Sequence, residues 1–207
     1  RFDPGSPGGM LGLDFHLTPD GPKLIEVNTN PGGVLLNALI GQAQRLCMPD
    51  VVGSPVDMDG VEKQTLDIFL AEWRAQHPDR PLASVAIVDE APVTQYLYPE
   101  FLLFRELFIR NGIHATINDP RELRRHDGRL WCDDRPIDLV YNRLTDFPLA
   151  QAEHEAIRDA YMAAEIVLTP PAASRTASTR STRGRSTRSS SSRWTRCAVR
   201  RPMLTSR

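Results

Sequence analysis

Two short runs of alternating polarity, GLDFHL from residue 12 and KLIEVN from residue 23, flank the turn cluster TPDGP. Alternation bounded by Pro, Asp and Gly predicts two β-strands joined by a turn. In the second run Leu24, Glu26 and Asn28 share one face and Ile25 and Val27 the other. Burial of Ile25 and Val27 would aim Glu26 and Asn28 the opposite way. TNPGG, residues 29–33, follows as a turn that can bring backbone N–H groups close to an anion. Residues 34–47 then repeat apolar positions at helical spacing, which predicts a helix whose first amides are open to an anion.

Further along, Val61, Leu66, Phe69, Leu70 and Trp73 predict a helix over 59–76, with Asp59 as its N-cap. SVAIVDE, 84–90, is the continuous apolar run of a buried parallel strand. Pro99 to Gly112 reads as a helix, Pro in its first turn and Gly at its end. Strands follow at 113–119 and 138–143, with a turn or short helix at 119–128 and a hairpin around Asp133–Asp134 between them. An acidic amphipathic helix over 150–164 leads to a strand at 165–170, while residues 1–11 and 49–58 read as loop and connector. Strands alternating with helices predict an α/β fold with an open, mostly parallel sheet. Ligands of such sheets bind at the carboxyl ends of the strands. Those ends are Asp89–Glu90, Asn118–Asp119, Asn142–Arg143 and Thr169–Pro170.

The chain's 207 residues and 41% hydrophobic content suffice for one domain with a core. No run approaches the roughly 20 apolar residues of a membrane span, and RFDPGSPGGM lacks the pattern of a signal peptide, so no membrane partner is expected and a cytoplasmic location is the default. Cys47, Cys132 and Cys197 have neither metal spacing nor a disulfide framework. The net charge of −1 hides a split. Residues 172–207 hold ten Arg and no Lys, Asp or Glu; without those ten, 15 of the 25 basic residues remain against 26 acidic ones, a net of −11. Of those 36 residues 25 are Arg, Ser or Thr, a composition that cannot bury a core and is expected to be disordered. It reads either as a basic arm for nucleic acid or as a segment translated out of frame.

Few residues stand out for chemistry. Glu26 and Asn28 offer hard oxygen ligands suited to Mg²⁺, although E-x-N is short and serves equally as a polar-faced edge strand. Asp14 either caps a turn or supports that strand. Arg143, at the end of DLVYNR, can take a substrate carboxylate bidentately or pair with Asp138 or Asp146. His16, His77, His114, His126 and His154 show no ligand spacing and read as surface or strand histidines. Trp73 and Trp131 read as core. Dinucleotide, P-loop and nucleophile-elbow motifs are absent from the sequence.

The stretch GLDF…LIEVNTNPGG resembles the metal-binding strand pair of the circularly permuted ATP-grasp ligases, of which eukaryotic-type glutathione synthetase is the best known. VAIVDE, the helix ending in NGI, and DGRLW…IDLVYNR are similar to the substrate-binding domain that follows in that enzyme. The resemblance implies an ATP-dependent carboxylate–amine ligase with an acyl-phosphate intermediate. Its substrates would be a small-molecule carboxylate and an amine besides ATP. Glu26 and Asn28 would hold Mg²⁺, and Arg143, Asn30, Gly32 and Gly33 the substrate. Where the relatives carry an Arg two residues before Asp14, this chain has Gly12. The implied division is a partial ATP-grasp segment over 1–48, an α/β substrate domain over 49–171 and the tail over 172–207. In the relatives the substrate domain continues into phosphate-binding lysines and a lid. The lysines here are Lys23 and Lys63 alone, so this chain by itself is expected to be an inactive fragment. The alternative is a non-enzymatic α/β binding module with a nucleic-acid-binding tail; on the ligase reading nucleic acid is not a partner.

Overall fold

The computed structural model describes residues 5, 8–48, 50 and 57–172. These belong to the unit Arg1–Arg175; the Arg/Ser/Thr-rich tail from residue 173 and most of the 49–58 connector lie outside the described residues. Strands β1 (Gly12–Thr18) and β2 (Gly21–Asn28) form an antiparallel hairpin. Helix α1 (Val34–Cys47) and helix α2 (Met58–Gln76) follow. Asp57, not Asp59, caps α2, its carboxylate accepting the Gly60 N–H at 3.0 Å. Asp59 falls inside the first turn, where its charge still suits the helix dipole.

The centre is a four-stranded parallel sheet in the order β4 (His114–Asn118), β3 (Ser84–Val88), β8 (Leu139–Asn142), β9 (Val167–Thr169). All five residues of β3 are buried, as its unbroken apolar run predicts for a strand covered on both faces. Side chains alternate between two cores. Val85, Ile87, Leu139, Tyr141 and Val167 meet Leu35 of α1, Phe69 and Trp73 of α2, and Phe101, Phe104 and Phe108 of α3 (Tyr98–Arg110). Ala86, Val88, Val140 and Leu168 face Ile157 and Ala160 of α4 (Glu155–Met162) and the strands β5 (Leu123–His126), β6 (Arg129–Cys132) and β7 (Arg135–Ile137). Phe69 makes edge contacts with Phe104, Phe108 and Tyr141 at centroid distances of 5.8, 5.1 and 5.0 Å.

Two local expectations change. Residues 120–122 form a 3-10 turn, and the chain then enters β5, where Leu123 reaches the core. Trp131 is half-buried and stacks on His126, with 8° between the ring planes. Among the described residues no helix is long and apolar enough to cross a membrane.

Candidate functional site

The strand order puts β3 beside β8, although β4 lies between them in the chain. Connections leaving neighbouring strands diverge at such a point, and a crevice opens at the carboxyl ends. Here β3 runs into Asp89 and β8 into Arg143. The Arg143 N–H continues the ladder to the Val88 carbonyl at 2.9 Å, and buried Asn142 accepts the Leu144 N–H at 3.1 Å. That turn sets the direction of the Arg143 side chain.

The guanidinium meets the loop that leaves β2. Nη1 donates to Asn30 Oδ1 and, at 2.8 Å, to the Pro31 carbonyl, and the Tyr141 hydroxyl is 3.5 Å away. Its carbon lies 5.4 Å from the Tyr141 ring centre. Tyr141 is wholly buried, and this pushes its pKa up to about 12, so it stays a neutral phenol beneath the cation. Arg143 has no ion pair within 4.0 Å among the described residues. Asp138 is paired with Arg80 at 3.2 Å and Asp146 with His154 at 2.9 Å. The partners weighed for Arg143 in the sequence are therefore engaged elsewhere.

Gly32 approaches Arg143 closely: a Cβ there would lie 3.2 Å from Nη2 and would run into Leu97 Cδ1. Gly33 has φ 92°, which favours glycine, and is the N-cap of α1. Its N–H and, at 3.2 Å, that of Leu35 donate to the carboxylate of Glu100, which is 2% exposed. Burial raises the Glu100 pKa against the pull of these hydrogen bonds and of nearby Arg143. The α1 amides expected to be open to an external anion are thus taken by an internal one. Nothing in the spacing of Pro99–Glu100 signals that this side chain turns 67 residues back.

Asp89 lies across from Arg143. Burial raises its pKa, while the Glu90 N–H and the charge of Arg143 oppose the rise. Ala91 holds a left-handed conformation, φ 42°, and donates its N–H to Asp119 at 2.9 Å. Arg121 grips the same carboxylate at 2.7 Å through two nitrogens and holds it well below the usual range. His154 is no surface histidine. It is fully buried, its Nδ1 2.9 Å from Asp146 and its Nε2, without a hydrogen-bond partner among the described residues, 3.6 Å from Glu90 Oε1.

On the hairpin, Asp14 pairs with Glu26 across the strands. Asn28 Nδ2 donates to Glu26 Oε1 at 3.1 Å and to Asp14 Oδ2 at 3.4 Å. The Asn28 amide N–H groups thus bridge the two exposed carboxylates. Two carboxylates facing each other across a strand pair repel, and here the Asn28 amide donates to both. Asp14 and Glu26 carry charged oxygens of the kind a hard divalent ion takes, and the Asn28 amide turned over would add its Oδ1; no group of three or more His, Cys, Asp or Glu is so placed among the described residues. The strand differs from expectation in two ways. The register shifts between Asp14 and Phe15, so Leu24 pairs with Phe15, on the face opposite Glu26. Ile25 and Val27 are 65% and 48% exposed rather than buried, because no described element covers that face.

The structure thus brings Arg143, Asn30, Gly32 and Gly33 together. Glu26 and Asn28 form a separate cluster with Asp14, joined to them through residues 29–33. Searched against protein-family models and against curated proteins, the chain matches none.

Proposed function

We propose that the chain is part of an ATP-dependent carboxylate–amine ligase of the circularly permuted ATP-grasp type, similar to glutathione synthetase. One observation carries the reading: the loop that follows the E-x-N strand is held by Arg143 at the switch point of the parallel sheet. A donor set for metal and a cation for substrate are thereby tied to one short loop. Glu26, Asn28 and Asp14 would hold Mg²⁺, which when bound supplies neutralisation of phosphate charge. Arg143 is without an ion pair among the described residues, so its remaining donors can orient a substrate carboxylate. Asp89 faces the opposite charge on the same substrate, its own charge disfavoured by burial until a cation arrives. Tyr141 and the aromatic core beneath it keep the guanidinium in place.

The test uses the full chain with ATP and Mn²⁺, followed by paramagnetic broadening of amide signals. Residues 13–15 and 26–29 should broaden in the wild type at Mn²⁺ concentrations about tenfold lower than in E26Q, since affinity follows ligand charge. Equal broadening would remove Glu26 from a metal site. Addition of a thiol peptide should shift signals at 30–33 and 143, and R143Q should abolish those shifts.

A further inference from the structure

The opposite end of the parallel sheet carries a cleft that the ligase reading does not use. At the amino ends of β3, β4 and β8, a cleft of about 320 Å³ is lined by Arg80, Ser84, His114, Arg129, Arg135 and Asp138. Asp138 is the one carboxylate among the described residues that line it, and it is engaged. Its Oδ1 takes Arg80 at 3.2 Å and its Oδ2 takes the Ala83 N–H at 3.0 Å. Its backbone N–H donates to Ser84 Oγ at 2.9 Å, and that hydroxyl donates to the Pro136 carbonyl at 2.8 Å. Asp138 and Ser84 are 8% and 6% exposed, so this floor is a buried, closed network. Arg129 and Arg135 have no ion pair within 4.0 Å among the described residues. Some described arginines are matched, Arg110 with Glu62, Arg121 with Asp119 and Arg125 with Glu165, while Arg143 at the other end of the sheet is not. Two guanidiniums without a carboxylate partner thus line one cleft. Pro81, Ala83 and Pro136 give the cleft apolar walls, which strengthen any charge contact made inside.

We propose that this cleft binds a small organic phosphate through Arg129, Arg135 and His114, at a site separate from Arg143. Guanidinium forks suit tetrahedral oxyanions. The volume lies at the small end for ligand pockets and suits a monophosphorylated metabolite rather than a macromolecule. A ligand here would touch the starts of the strands whose other ends carry Asp89 and Arg143.

The experiment is an NMR titration of the full chain with glucose 6-phosphate and with inorganic pyrophosphate at constant ionic strength. The tail arginines also attract phosphate, so the readout is local: the amides of residues 84, 114, 129 and 135. Saturable shifts there are expected, with affinity at least about tenfold weaker in R129Q/R135Q, because charge-assisted hydrogen bonds are lost. R129K/R135K keeps the charge and the fold but loses the forks, and should fall between the two. R143Q should bind like the wild type, so failure here is distinct from failure of the ligase reading. Absence of local shifts, or equal affinity in R129Q/R135Q, overturns the proposal. So does a single-stranded RNA that shifts these amides when glucose 6-phosphate does not; the face would then belong to nucleic acid.

Discussion

Arg143 holds the loop over residues 29–33 by two hydrogen bonds to oxygen, and a cation makes each stronger than a neutral pair. Arg143→Gln should leave the sheet intact and speed hydrogen exchange at the amides of 30, 32 and 33 by about tenfold or more, the equivalent of one lost charged hydrogen bond. Unchanged exchange would mean that the loop is held by something else. Glu100 allows a pH test with a definite sign. Its carboxyl is raised above the ordinary 4.5, first by burial, so the folded state binds its proton more tightly than the unfolded one. Its contribution is complete below pH 4.5 and lost as pH rises through the higher folded value. Glu100→Gln removes that titration. The melting temperature of the wild type relative to E100Q should therefore be higher at pH 5 than at pH 7.5. The difference is the measure, because His77, lowered first by burial and then by Arg80, titrates with the opposite effect in both proteins.

The short connections at the carboxyl edge act as elements in their own right. The 3-10 turn Pro92–Thr94 begins from Ala91, a residue with a side chain at φ 42°. Left-handed backbone costs an L-residue about 1–2 kcal/mol, so Ala91→Gly should stabilise the protein by about 1 kcal/mol, read from chemical denaturation. A loss would show that the Ala91 methyl packs usefully. The larger elements were legible in the sequence. α1 spans the residues its periodicity predicts, and β3 is the buried strand that SVAIVDE announces. Less legible were features set by distant partners. The burial of His154 depends on Asp146 and Glu90, and the filling of the α1 amides depends on Glu100. Neither has a periodic signal, since one side chain reaching across the fold repeats nowhere. The hairpin misled for another reason: alternation shows which residues share a face, while a single register shift and the absence of a described cover decide where that face points.

Across the whole molecule, stability is unevenly placed. Phe69 is fully buried among three aromatic rings, and Phe69→Ala should cost about 3–5 kcal/mol of unfolding free energy. Ile25→Thr, on the open side of the hairpin, should change it by no more than about 0.5 kcal/mol. A large loss for Ile25→Thr would reveal a cover for that face. The hairpin's Leu13, Phe15, Leu17, Ile25 and Val27 are all roughly half exposed or more, and a two-stranded ribbon has little stability of its own. This predicts a hierarchy of opening. The ribbon should detach and re-form many times while the parallel sheet stays closed, and its amides should exchange through that local event rather than through global unfolding. In each excursion two apolar strand edges meet solvent together. At high protein concentration the first self-association should therefore begin from residues 12–28 of an otherwise native molecule.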